Sequence, residues 1–191
     1  NLCRLLSAAH ATTDRREPEL DPRFLAEHAE GLILLSGCRK GEVPSLAQEG
    51  GMGAAKEAAS RYIEWVGREN VYLELQQNLV QGDTQRNRRL VDLAGRLEIG
   101  VVATNNVHYH VPERHRLHDA LVAIRHNKGL EETHRERRPN GHFYLKSPAE
   151  MAALFAGVPE AVRNTLRIAE RCSFDLSRDL GYRFPDCPVP Q

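Results

Sequence analysis

The side chains best suited to chemistry gather around one stretch, Val101-Val102-Ala103-Thr104-Asn105-Asn106-Val107-His108-Tyr109-His110. A short β-branched run gives way abruptly to amides and imidazoles. That is the pattern of a buried parallel strand delivering polar groups at its C-terminal end. His108 and His110 lie two residues apart, so in an extended chain both face one side and would share a metal or a phosphate. Two solvated loop histidines are the plainer alternative. Asn106 stands two residues before His108, where an aspartate would complete a metal corner of carboxylate charge and imidazole nitrogen. An amide supplies only a neutral oxygen. A hydrolytic metal centre needs several anionic ligands, so this substitution weighs against one.

Two further strand ends carry polar groups. Cys38 follows the apolar run Gly31–Ser36 on a Ser-Gly-Cys turn, where a thiolate would reach a nearby metal, although a lone cysteine is more often a buried, inert thiol. Glu74 alternates with Leu73 and Leu75 and shares a face with Tyr72 and Gln76. It reads first as a structural partner, for example of an arginine, and second as a ligand or outer-sphere base. The stretch 125–140 is basic: Arg125, Lys128, Arg135, Arg137 and Arg138 outnumber Glu131, Glu132 and Glu136. It would suit DNA or an accessory protein, against the commoner reading of a solvated charged face. No Walker loop, dinucleotide-binding glycine fingerprint, nucleophile elbow or zinc-finger spacing is present.

The elements that must position these residues follow from periodicity. Helices are expected over Leu2–Ala9, from Pro22 after an Asp21 cap to Gly31, over 54–66, over 86–99, from Pro112, and over 159–172. A further helix starts at Ser147-Pro148-Ala149-Glu150, which combines an N-cap, a first-turn proline and a capping-box glutamate. Strands are expected at 31–38, buried on both faces, at 71–76 and at 101–107, with a short one at 143–145. The helix from Pro112 is expected to turn Leu117, Ala120, Leu121 and Ile124 inward, and the last helix Val162, Leu166 and Ala169. Strand and helix alternation implies parallel βαβ units, whose strand ends share one edge. Tyr182 to Gln191, with Pro185, Pro188 and Pro190, reads as an extended exit segment.

Composition bounds the rest. A chain of 191 residues with 41% hydrophobic and 27% charged residues is long enough for one core and is not disordered. Lysine plus arginine equals aspartate plus glutamate at 26 each, so overall charge selects no polyanionic partner. Cys3, Cys38, Cys172 and Cys187 form no Cys-x-x-Cys pair and no disulfide framework, which fits a reducing cytoplasm. No apolar run has the length to cross a bilayer. The chain opens on Asn1 inside a helix and reads as a segment of a longer protein.

Several stretches are familiar in order and spacing: Leu34-Leu35-Ser36-Gly37-Cys38 with Gly41-Glu42, then Tyr72–Gln76, then Val102–Tyr109, Phe143–Pro148 and Asn164–Cys172. Together they resemble the PHP (polymerase and histidinol phosphatase) domain of bacterial C-family DNA polymerases, the polymerase III α-subunit group. Asn1–Ser7 and Asp179–Pro185 are most similar to its error-prone, damage-tolerant branch. The resemblance covers essentially the whole chain. It implies an α/β fold, part of a distorted (β/α)7 barrel with parallel strands, followed by a helical C-terminal segment. On this basis residues 1–146 are expected to form the later part of the PHP domain, lacking its first strands, and 147–191 a helical and extended connection toward the polymerase palm.

The resemblance also assigns roles. Cys38 matches a metal-ligand position, His108 the histidine of the family's last Asp-x-His motif, and Asn106 the aspartate of that motif. His110 matches no ligand, and the family's His-x-His motif would precede Asn1. Zinc or manganese is implied at an intact PHP site and magnesium at the polymerase centre, whose carboxylates lie in the palm. The leading expectation is a PHP scaffold with a degenerate metal site. Its parent would be an error-prone DNA-directed DNA polymerase, a nucleotidyltransferase of DNA replication and repair. The palm and DNA are the implied partners. The alternative is an active metal-dependent phosphoesterase or 3′–5′ exonuclease.

Overall fold

The computed structural model describes residues 1–11, 17–49, 51–175, 177–179 and 181. The exit segment expected over 182–191 and Cys187 lie outside them. Three parallel strands, β1 (Leu34–Leu35), β2 (Val71–Gln76) and β3 (Gly100–Thr104), form one sheet in the order β1-β2-β3. The register pairs Leu35 with Tyr72 and Gln76 with Thr104, which sets the three C-terminal ends on a common edge as the βαβ reading required. Between β1 and β2 run α3 (Glu42–Gln48) and α4 (Met52–Val66), preceded in the chain by α1 (Leu2–Ala11) and α2 (Pro22–Glu27). Helix α5 (Asp83–Leu97) joins β2 to β3. Beyond the sheet follow α6 (His115–His126), α7 (Pro148–Leu154) and α8 (Pro159–Arg171).

Alternation along β2 divides the sheet. Leu73 and Leu75 enter a core with Val43, Ala55, Ala58, Ala59, Leu90, Leu93 and Ala94, while Glu74 and Gln76 face the other way. The alanines of α4 let that helix lie close to its neighbours. Strand β1 corrects an expectation: only two residues pair, and Leu35 is exposed, because β1 is the sheet edge and has a partner on one side alone. Helix α3 had no periodic signal in the sequence, and the expected strand at 143–145 is a single bridge between Tyr109 and Tyr144.

Two helix faces are also corrected. On α6, Leu117, Leu121 and Ile124 are exposed, and the buried side carries Asp119 and Ala123 with His115 and His118 partly covered. On α8, Leu166 and Ala169 face outward, and Ala161 and Asn164 are buried, the Asn164 amide donating to Val101 O at 2.8 Å. Both helices are oriented by polar groups, which an apolar-stripe reading passes over.

The cap of α7 is as the sequence requires. Ser147 Oγ accepts from Glu150 N at 3.3 Å, and Glu150 Oε2 accepts from Ser147 N at 2.7 Å. The Tyr144 hydroxyl also donates to Glu150 Oε1 at 2.6 Å. These donors, Tyr144 first and Ser147 next, hold the Glu150 carboxyl at about 2. A depressed carboxyl contributes stability that is complete above its unfolded value and is lost as pH falls through about 2. The cap is therefore expected to persist at pH 4. Ser147→Ala should raise the Glu150 titration toward the usual carboxylate range, visible in carboxyl carbon shifts, and cost about 1 kcal/mol in a urea melt.

Candidate strand-end site

The polar edge begins with hydrogen bonds that tie the three strands together. Ser36 N donates to Tyr72 O at 3.0 Å and Ser36 Oγ accepts from Glu74 N at 2.8 Å, so the short β1 is fixed by the residue that follows it. Glu74 Oε1 accepts from Gln76 Nε2 at 2.5 Å and from the Thr104 hydroxyl on β3. The partners of Glu74 are thus an amide and a hydroxyl on the same sheet face, where the sequence reading had offered an arginine. The turn carrying Cys38 closes by Gly41 N donating to Cys38 O at 2.7 Å. A Cβ at Gly41 would meet Ser36 O at 2.5 Å, so glycine is required to bring the chain back over the end of β1.

A second set of amides fastens the segment 140–146 over the ends of β2 and β3. Asn78 Nδ2 donates to Asn105 O at 3.0 Å and His142 O at 3.1 Å, and Asn140 Nδ2 donates to Asn78 O at 2.8 Å. Asn105 Nδ2 donates to Tyr144 O, and Lys146 Nζ donates to Asn105 Oδ1 at 3.1 Å. Asn78 and Asn140 carried no distinguishing sequence signal, because an asparagine in a turn is ordinary until its partners are known.

On that frame sits a cluster of rings. His108 N donates to Phe143 O at 2.8 Å, and the His108 ring meets Phe143 at 5.9 Å and His118 of α6 at 5.3 Å between centroids. Tyr109 lies 5.6 Å from His118 and 5.9 Å from His115. Burial first, then the charge of Arg138 and the neighbouring His118, push His108 down to about 4, and the same first two causes lower His118. Both rings are therefore neutral at pH 7. His108 Nε2 and His118 Nδ1 are buried without a hydrogen-bond partner. Asp119 Oδ2 accepts from Arg137 Nη1 at 3.0 Å, and its Oδ1 lies 3.7 Å from His115 Nε2.

The cluster gathers some of the anticipated residues and leaves others apart. His108 and Arg138 are in it. Arg138 lies with its guanidinium carbon 5.4 Å from the Phe143 ring centroid; burial, and then the repulsion of Arg39, lower its pKa, with Cys38 the next group acting on it. Cys38 is a half-buried free thiol. Asn106 is half-buried in the left-handed region at φ 45, a conformation asparagine tolerates better than most residues. His110 is exposed. In the basic stretch, Arg137 is held by Asp119 and Lys128 by Glu136 at 2.7 Å, while Arg125 and Arg135 are exposed. Sequence reasoning missed His115, His118 and Asp119, whose i, i+3, i+4 spacing on α6 was the available signal.

Parallel strands bring a thiol, a carboxylate and an imidazole to one edge of an α/β sheet, and residues 1–78 match the PHP domain model. Cys38 and Glu74 fall within the match, Asn106 and His108 beyond it. The proteins similar to this chain over most of its length bear the names error-prone DNA polymerase and DNA polymerase III subunit alpha. It is 41% identical over 189 residues to the error-prone DNA polymerase of Symbiobacterium thermophilum, covering 90% of this chain and 17% of that protein. Identity to the DNA polymerase III subunit alpha of Treponema pallidum is 39% over 173 residues, 91% of this chain and 15% of that protein. For the error-prone DNA polymerase of Mycolicibacterium paratuberculosis it is 38% over 191 residues, 99% and 17%. The chain thus spans 15–17% of the length of these relatives.

A PHP domain implies metal ions, and the donors present do not fit one. Among the described residues no three His, Cys, Asp or Glu side chains gather at ligating range. Asn106 offers no charge, and the Arg138 guanidinium, which only donates, acts on His108.

Proposed function

We propose that this chain is a scaffold portion of the PHP region of an error-prone-type DNA polymerase, and that it performs no hydrolysis itself. The observation that carries this reading is the replacement of metal-ligand chemistry at the strand edge: an amide at 106, and the Arg138 guanidinium over the Phe143 ring against which His108 also packs. The homologues' names support DNA polymerisation as the parent activity; its place in replication and damage-tolerant repair, with magnesium at a centre outside these residues, is part of this proposal. The remainder of the polymerase, its palm first, is the partner. A partial (β/α)7 barrel is the architecture consistent with three parallel strands and their connecting helices. Residues 1–146 form the PHP part and 147–191 the connection; that division is one of sequence role, since α8 packs along β3. The arginines exposed at 125 and 135 are the surface this reading turns toward DNA.

Metal analysis tests the scaffold reading against an active phosphoesterase or 3′–5′ exonuclease. Inductively coupled plasma measurement after dialysis should find neither zinc nor manganese at stoichiometry, and hydrolysis of a 3′-terminal nucleotide should stay at the buffer rate. Asn106→Asp, which the backbone at 106 accommodates, should leave the fold intact. Stoichiometric metal in the unaltered chain, with hydrolysis that a chelator abolishes, would replace this reading with the phosphoesterase.

A further inference from the structure

An apolar groove of about 610 Å³ lies between α8 and the stretch that leads into α7, with the buried Ala103 of β3 at its floor. Its rim is aliphatic and open. Leu145 and Leu166 are 64% and 67% exposed, Val107 is exposed on the same groove, and Met151 and Val162 line it half-buried. Single surface leucines need no explanation, but several that line one groove mark a surface suited to being covered. The volume lies within the range of about 300–1,000 Å³ typical of occupied clefts.

One cation on this groove has only neutral partners. Lys146 is half-buried, and its Nζ donates to Asn105 Oδ1 at 3.1 Å and to His142 O and stands 4.2 Å from the Tyr144 ring centroid. No ion pair holds it among the described residues, and burial lowers its pKa. Two carboxylates of α7 and α8 are already engaged. Glu150 accepts from the Tyr144 hydroxyl at 2.6 Å and from Ser147 N at 2.7 Å, and Glu160 is held by Arg163 at 2.6 Å. Covering the groove with apolar groups alone would take water from an ammonium and put no anion in its place, which is costly. A fitting occupant therefore brings a carboxylate along with its apolar side chains.

The chain spans 15–17% of the length of its polymerase relatives, so most of such a protein lies outside it. We propose that this groove seats a segment of the parent polymerase from outside residues 1–191, one that inserts aliphatic side chains between Leu145 and Leu166 and aims an aspartate or glutamate at Lys146. The proposal rests on the reading of the chain as a scaffold portion of that polymerase and adds the surface on which the remainder is held. A groove of this size buries too little surface to hold a free partner tightly, whereas connection through one polypeptide supplies a high effective concentration. No bond is made or broken.

The test puts the photo-crosslinking residue p-benzoylphenylalanine in place of Leu145 in the intact parent polymerase. Irradiation of an equal mixture of heavy- and light-isotope protein is expected to link Leu145 within one chain, to a peptide outside residues 1–191 that carries an aspartate or glutamate among aliphatic residues. Lys146→Glu should lower the yield by about tenfold or more, since like charges then face each other. Leu166→Asp should lower it too, and at so exposed a position should leave the urea melt of the 191-residue chain unchanged. Leu117→Asp, also exposed but on α6, should leave the yield as it is. Links confined to residues 1–191, links between heavy and light chains, a linked peptide without an acid, or a yield indifferent to both Lys146→Glu and Leu166→Asp would each overturn the proposed occupant. The scaffold reading fails on metal-dependent hydrolysis by the chain, a result that none of these cross-links shares.

Discussion

Asp83→Ala is expected to lower the stability of the chain by about 3–5 kcal/mol, the loss that follows when one half of a buried ion pair is removed. Asp83 and Arg86 are each only 4% exposed, and Arg86 Nη2 donates to Asp83 Oδ1 at 2.8 Å. The other oxygen, Oδ2, accepts from Asn78 N at 2.9 Å and Val80 N at 3.1 Å. Asp83 is also the first residue of α5, where the exposed amides of the helix start favour a negative charge. Alanine would strand a buried guanidinium whose remaining partners are neutral, Gln76 O at 3.3 Å and Gln48 Oε1 at 3.4 Å. It would also free two backbone donors.

The effect should spread to the site, since the backbone that Asp83 holds carries Asn78, and Asn78 ties the 140–146 segment to the end of β3. Urea melts report the stability loss as a lower midpoint with unchanged slope. Hydrogen exchange should quicken at 140–146 before it does at β2. The double variant Asp83→Ala/Arg86→Met should recover part of the loss, because it removes the orphaned charge along with its partner. A double variant as unstable as the sum of the singles would show that the ion pair is not the cause.

How far the sequence carried this far can be judged at particular residues. Strand β2 was legible in full, since Val71–Gln76 alternates in a way only a sheet between two layers explains. The α4 stripe and both proline-led caps were legible because each depends on residues within a turn of one another. The edge position of β1 was not. Gly31–Cys38 reads as a long buried strand, but pairing is a property of neighbours distant in the chain, and only Leu34–Leu35 find one. At the site, Cys38, Glu74, Asn106 and His108 announce themselves by residue type. His115, His118 and Asp119 do not, because a polar face turned toward other polar groups has no hydrophobic signature. Arg86 stands in an arginine-rich helix with Arg88, Arg89 and Arg96, and only a buried partner three residues earlier sets it apart.

The same distinction between residue type and placement sets the second large prediction. Leu73 and Ile124 are both aliphatic and both were read as inward. Leu73 is 0% exposed at the centre of β2, packed among the side chains of α3, α4 and α5, whereas Ile124 is 74% exposed on α6. Leu73→Ala removes buried methyl groups from a filled space, and the parallel strands on either side prevent the backbone from closing it. The cost should be about 2–5 kcal/mol, toward the upper end because the site is rigid. Ile124→Ala removes contact mainly with water and should change stability by no more than about 0.5 kcal/mol. Paired urea melts of the two variants give the comparison directly. A loss at Ile124 approaching that at Leu73 would mean that the outward stripe Leu117, Leu121 and Ile124 is covered in solution, and would move α6 from the surface of the molecule to an interface.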